Sequence, residues 1–170
     1  MITLGIDPGA RYTGVVLRDE DEVLLASTYV RPRDFPPVMW AHRVVRLVRR
    51  DVLTDYPDVL IGIEGISDPK GHKHGSKDPI NPRDIIRTGI IVGALAESLS
   101  ATNRVVIIPP KKNGSGLNYP AVLNDRRPAN LPGTSTGAGT RKHEKSAYDV
   151  AGEVPFQIND GYILDMRPDL

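Results

Sequence analysis

The chain contains no cysteine, which excludes a disulfide framework and thiolate zinc sites and fits a reducing cytoplasm. Aromatic residues are scarce, at 5%, so no stacking platform for nucleobases is evident. No apolar run is long enough to span a bilayer, and the start lacks the pattern of a secretory leader. A cytoplasmic protein with no membrane partner is therefore expected. Charge of one sign is missing too: 22 basic residues against 21 acidic leave a net charge of +1.

That near-zero sum hides an uneven arrangement. Acidic residues gather at Asp19-Glu20-Asp21-Glu22 and in the tail, at Glu153, Asp160, Asp165 and Asp169. Basic residues gather elsewhere: from Arg31 to Arg50, from Lys70 to Arg87, at Lys111-Lys112, at Arg126-Arg127 and from Arg141 to Lys145. A molecule polarised in this way can offer one face to a polyanion. The arginines between Arg43 and Arg50 serve equally well as a solvated helix face.

A length of 170 residues with 39% hydrophobic and 25% charged residues suits one globular domain with a real core. Residues 1–153 are expected to form that domain and 154–170 a tail without clear periodicity. Strands are predicted at Met1 to Asp7, Thr13 to Arg18 and Val23 to Val30, joined by turns short enough to imply an antiparallel meander. A helix from about Pro37 to Leu53 carries Ala41, Val44, Val45, Val48 and Val52 at helical spacing. The strand that follows, Val59 to Glu64, is expected beside the first strand through a parallel crossover. After a polar loop, Asn81 as cap, Pro82 and Asp84 announce a second helix with the stripe Ile86, Ile90, Ala94 and Leu95. Val105 to Ile108 is a fifth strand. Residues 109–140 read as irregular, with a short helical turn near Tyr119 to Leu123. A last helix from Arg141 to Glu153 is expected to stop before Pro155. The class is α/β, with a mixed five-stranded sheet of three antiparallel strands and two added parallel.

The chemistry lies in two look-alike segments, Ile2-Thr3-Leu4-Gly5-Ile6-Asp7 and Val59-Leu60-Ile61-Gly62-Ile63-Glu64. Each is a buried-strand pattern that ends in a carboxylate, with a glycine two residues earlier on the same face. On parallel neighbouring strands the two acids project together above a floor cleared of side chains. Two close carboxylates repel, and keeping both ionised usually takes a divalent cation. The last helix, with Ala147, Ala151 and Gly152, is small enough to lie on the face cleared by Gly5 and Gly62, which would bring Asp149 to Asp7 and Glu64. Three acids so placed can hold two Mg²⁺ ions ~4 Å apart for in-line phosphodiester hydrolysis. Each acid also has a plainer use: Asp7 as the start of an Asp-Pro-Gly turn, Glu64 as a loop acceptor, Asp149 as a partner of Lys145 at i−4. The joint pattern favours the site.

The segment Gly5-Ile6-Asp7-Pro8-Gly9-Ala10-Arg11-Tyr12-Thr13-Gly14 resembles the opening of RuvC-type Holliday junction resolvases. Ile63-Glu64-Gly65 resembles their second acidic strand end. The stretch from Ile86 to Ala94 is similar to the helix that follows it. Ser146-Ala147-Tyr148-Asp149-Val150-Ala151 resembles their closing acidic helix, especially in divergent phage-type members. The likeness covers most of residues 1–153 and is weak across 109–140. It implies a ribonuclease H-like fold, a homodimer, and Mg²⁺- or Mn²⁺-dependent cutting of four-way DNA junctions. Asp7, Glu64 and Asp149 match three of the family's four catalytic positions. The fourth, three residues before the last acid, is Ser146 here, itself a possible metal ligand; His143 is the nearest replacement, as general acid/base or metal ligand, and Glu144 the second.

Around that site, Lys70, His72, Lys73, His74, Lys77, Arg83 and Arg87, then Lys111, Lys112, Arg141 and Lys142, are the expected DNA contacts, through backbone phosphates more than bases. The His72-x-His74 pair lacks the further ligands a zinc site wants. The second helix is the expected dimer interface, since Ile85, Ile91 and Leu99 lie partly off its core stripe. Three other functions remain open: a flap or RNA–DNA hybrid nuclease on the same fold, an actin-like nucleotide-binding domain, and a DNA-binding module without catalysis. The actin-like reading wants two such domains, and the chain holds one copy.

Overall fold

A computed structural model describes residues 1–66, 81–110, 140–158 and 163–165, excluding the side chains of residues 140 and 141. Three antiparallel strands come first: β1 (Ile2–Pro8), β2 (Tyr12–Asp19) and β3 (Glu22–Val30). Helix α1 (Pro37–Val48) runs on through a π turn (Arg49–Leu53) into the crossover to β4 (Leu60–Glu64), which lies parallel to β1. Helix α2 (Pro82–Ser100) leads to β5 (Val105–Ile108), parallel to β4. Helix α3 (Thr140–Gln157) and the short β6 (Ile163–Leu164) complete the order. The sheet is mixed, as expected, but has six strands in the order β3-β2-β1-β4-β5-β6. The sixth pairs antiparallel with β5 through only two residues, too few to leave a periodic signature in the tail. The helical turn expected near residues 119–123 lies outside the described residues. No described helix is long and apolar enough to cross a membrane.

The two faces of the sheet are covered differently. Leu4, Ile6, Val15, Leu17, Ile61, Ile63 and Val105 form one face and pack with Trp40, Val44 and Val48 of α1 and Ile91, Leu95 and Leu99 of α2. The stripe expected on α1 is the one buried, with Trp40 added; its indole donates to Thr13 Oγ1 at 3.2 Å. On α2 the expected stripe holds at Leu95, which is buried, and at Ala94, which packs against the core, but is corrected at its other two positions. Ile86 and Ile90 are exposed, at 64% and 40%, and the core is reached by Ile91, Leu95 and Leu99. Both rows have helical spacing, so period alone cannot choose between them. The Asn81 cap is present, its side chain accepting from the Arg83 backbone at 3.0 Å.

The other face carries α3 at close range. A Cβ on Gly5 would overlap the Ala147 carbonyl and sit 2.6 Å from the Ala151 nitrogen. One on Gly62 would be 2.5 Å from a Val154 methyl. One on Gly14 would overlap the His143 carbonyl. Helix α3 also continues past Pro155, which was expected to end it. Proline removes the donor that would bond the Ala151 carbonyl four residues back, and the buried Thr3 hydroxyl donates to that carbonyl at 3.0 Å. Arg18 fastens the same helix: its guanidinium lies 4.0 Å from the Tyr148 ring centroid and donates to the Tyr148 carbonyl at 3.1 Å.

Candidate active site

The parallel register sets Gly5 beside Gly62 and Ile6 beside Ile63, so Asp7 and Glu64 follow as neighbours on strands about 4.8 Å apart. Across the antiparallel side Asp7 pairs with Gly14. Because Gly14 has no side chain, the first described turn of α3 descends onto this row and delivers two residues to the two acids. His143 Nδ1 lies 2.8 Å from Asp7 Oδ2. Ser146 Oγ donates to Glu64 Oε2 at 2.7 Å. Residues three apart share a helix face, so the spacing of His143 and Ser146 matches two acids on adjacent strands.

The surroundings fix the imidazole. Gly9 lies close enough that a Cβ there would be 2.5 Å from His143 Cε1, and the Tyr12 ring is centred 6.0 Å from the His143 ring. Burial by itself would lower the His143 pKa. The hydrogen bond to Asp7, with the negative charges of Asp7 and Glu64, outweighs burial and the opposing charge of Lys142, so the net shift is upward. An ionised carboxylate only accepts, so Nδ1 carries the proton in this bond, and Nε2 lies on the Gly9 side of the ring.

The remaining candidates are distributed as follows. Asp149 lies one turn beyond Ser146 on α3, among residues that pack on Gly5 and Gly62, and is partly buried. His143 and Ser146 are among the residues in contact with Asp7 and Glu64. Among the described residues, no three His, Asp or Glu side chains gather closely enough to hold a metal ion. Glu144 is buried, at 5% exposure, and turned toward β3, where Thr28 Oγ1 donates to it at 2.7 Å. Arg83 and Lys142 are exposed, and Arg87 pairs with Asp84 at 3.1 Å. Lys70, His72, Lys73, His74, Lys77, Lys111 and Lys112 lie outside the described residues, as does the side chain of Arg141.

Sequence reasoning marks Ser146 as the fourth family position and a possible metal ligand, but it missed the pairing of that hydroxyl with Glu64. The signal was the i, i+3 offset from His143. It also missed Arg11, Arg31 and Arg33, which meet Arg87 around one cavity. They are scattered along the chain and belong to no single motif.

No family profile matches the chain, and no curated protein matches it by sequence. Solved structures do match. RuvC of T. thermophilus in complex with a Holliday junction substrate superposes with a TM-score of 0.60 at 16% identity, over 96% of this chain and 98% of that one. A second Thermus thermophilus RuvC structure gives 0.57 at 16% identity, over 96% and 99%. Full-length coverage of both chains, with the mixed sheet and the α3 layer, establishes that this chain has a RuvC-like fold of the ribonuclease H type.

Proposed function

We propose that the protein is a divalent-metal-dependent endonuclease that resolves four-way DNA junctions by phosphodiester hydrolysis. The observation that carries the reading is the Asp7–Glu64 pair on adjacent strand ends, with His143 and Ser146 brought to it by α3. The fold likeness to RuvC in complex with a Holliday junction substrate supports the choice of DNA.

The two carboxylates on adjacent strand ends suit a hard divalent cation. Asp7 and Glu64 would hold Mg²⁺, two ions per site with Mn²⁺ as a substitute, and α3 would supply the third ligand. Bound there, the metal would supply an activated water and stabilise the leaving oxygen. The chain's own residues do the positioning. His143 Nδ1 orients Asp7, and the Ser146 hydroxyl orients Glu64. Asp149 competes with His143 as the third ligand, and substitution separates the two.

A symmetric junction needs two cuts, hence a homodimer. Ile91 and Leu99, expected at the interface, are core residues. The apolar surface that remains on α2 is Ile86 and Ile90, with Ile66 against Gly89, and we assign the interface to it. The test of substrate is a panel of labelled four-way junction, flap, RNA–DNA hybrid and linear duplex with Mg²⁺. Preferential cutting of the junction supports the reading. Equal or stronger cutting of flaps or hybrids replaces the substrate while keeping the site.

A further inference from the structure

Four arginines from three separate parts of the chain surround one cavity of about 230 Å³. Arg11 comes from the β1–β2 turn, Arg31 and Arg33 from the end of β3 and the loop after it, and Arg87 from the first turns of α2; Ala10 and Asp84 complete the wall. Four positive groups against one carboxylate leave an excess of three positive charges. Asp84 is already engaged, at 3.1 Å from Arg87. The other three arginines form no ion pair with any described residue.

Arg31 makes this a built site. It is only 7% exposed, and its Nε donates to the Ala10 carbonyl at 2.6 Å while Nη1 donates to the Phe35 carbonyl. Both bonds go to neutral carbonyls, so its charge is held in place without being neutralised. Burial, then the neighbouring charges of Arg87 and Arg11, push its pKa below the ordinary guanidinium value, against a smaller opposing pull from Asp84 and Asp34. Arg11, exposed, is steadied by the Tyr12 ring, its guanidinium carbon 5.6 Å from the centroid. Like charges held this close repel, and a planar fork geometry suits the oxygens of a tetrahedral anion.

The cavity adjoins the active site through one turn. Pro8 to Tyr12 follows Asp7 directly and carries Arg11 near its end, and Gly9 closes it by donating to the Tyr12 carbonyl at 2.8 Å. His143 packs against Gly9 on the α3 side, and the arginines lie toward α2. We propose that this four-arginine cavity seats a backbone phosphate of the bound DNA strand next to the one that is cut. The inference rests on the DNA-cleaving reading above and deepens it by assigning a phosphate seat outside the acidic pair. Such a seat would fix the strand's register over Asp7 without reading sequence.

The test measures junction affinity by fluorescence anisotropy, with Ca²⁺ in place of Mg²⁺, between about 50 and 200 mM salt. The Arg11→Gln/Arg33→Gln double variant leaves the structural Arg31 intact. Arg104→Gln, just before β5 at the opposite end of the sheet, is the control. The double variant is expected to bind about tenfold more weakly and to lower the slope of log affinity against log salt by about 0.9. The control should match the wild-type protein. Wild-type affinity and slope in the double variant would overturn the proposal. Should the wild-type protein bind no branched DNA, the function reading fails first. The cavity is then probed through the arginine Nε–Hε resonances, with a short single-stranded oligonucleotide and with millimolar inorganic phosphate. Shifts at Arg11, Arg33 and Arg87 with the oligonucleotide sustain a seat for strand phosphate. Shifts with inorganic phosphate alone, or with neither, overturn it.

Discussion

The Thr3 hydroxyl donates to the Ala151 carbonyl, the one acceptor in α3 that Pro155 deprives of its helical donor. This bond links β1 to α3 one layer below the active site, and it makes Thr3 and Pro155 energetically dependent on each other. Thr3→Val should destabilise the protein by about 1–3 kcal/mol, since it leaves a buried carbonyl unsatisfied. In a Pro155→Ala background the restored backbone N–H can take that role, and the penalty should shrink by about 1 kcal/mol. Urea unfolding of the four proteins measures the coupling. An equal loss in both backgrounds would mean that the hydroxyl does not serve this carbonyl.

His143 should titrate above an ordinary histidine in the metal-free protein. The hydrogen bond and charge of Asp7 outweigh the burial that alone would depress it. With Asp7→Asn, burial dominates and the pKa should fall; Glu64→Gln should lower it less. Because the folded-state pKa is the raised one, the stability it contributes is complete below the unfolded value of about 6.5 and is lost as pH rises through the folded value. NMR titration of the His143 Cε1 proton in chelator reads the wild-type protein and both variants. A wild-type value below that of a free histidine contradicts the assignment of Nδ1–H to Asp7.

Ser146 and Asp149 make opposite predictions about which turn of α3 serves the site. Ser146 holds Glu64 at 2.7 Å, so Ser146→Ala should slow cleavage by about tenfold, the scale for loss of an outer hydrogen bond to a ligand. Asp149→Asn should have the smaller effect. A larger loss with Asp149→Asn than with His143→Gln would restore Asp149 as the third ligand.

Much of this arrangement was legible in the sequence, for definite reasons. Gly5 and Gly62 precede Asp7 and Glu64 by two residues, and alternation along a strand fixes both pairs to one face. The small residues Ala147 and Ala151 indicated the helix that fills the space. Three features were not legible. The reach of α3 past Pro155 depends on a hydroxyl from a distant strand. The choice between two apolar rows on α2 depends on how the helix is rotated against α1. The meeting of Arg11, Arg31, Arg33 and Arg87 depends on a turn, a loop and a helix converging, which no local pattern encodes.

The row left over on α2 carries a prediction of its own. Ile86 and Ile90 are exposed one turn apart, with Ile66 beside Gly89. Ile86→Glu or Ile90→Glu should convert a dimer to a monomer in light scattering while the far-ultraviolet circular dichroism is retained. A dimer that survives both substitutions places the interface elsewhere.

The central claim is that Asp7 and Glu64 are the centre of a metal-dependent nuclease. It is tested most directly by single-turnover cleavage of a labelled four-way junction, with Mg²⁺ or Mn²⁺ against chelator. Paired, symmetric nicks are predicted for the wild-type protein. A loss of at least about a thousandfold is predicted for Asp7→Asn, for Glu64→Gln and in chelator, the scale of removing a metal's contribution to the transition state. Nicks that persist in either variant, or a folded wild-type protein that cuts no DNA with either metal, would contradict it.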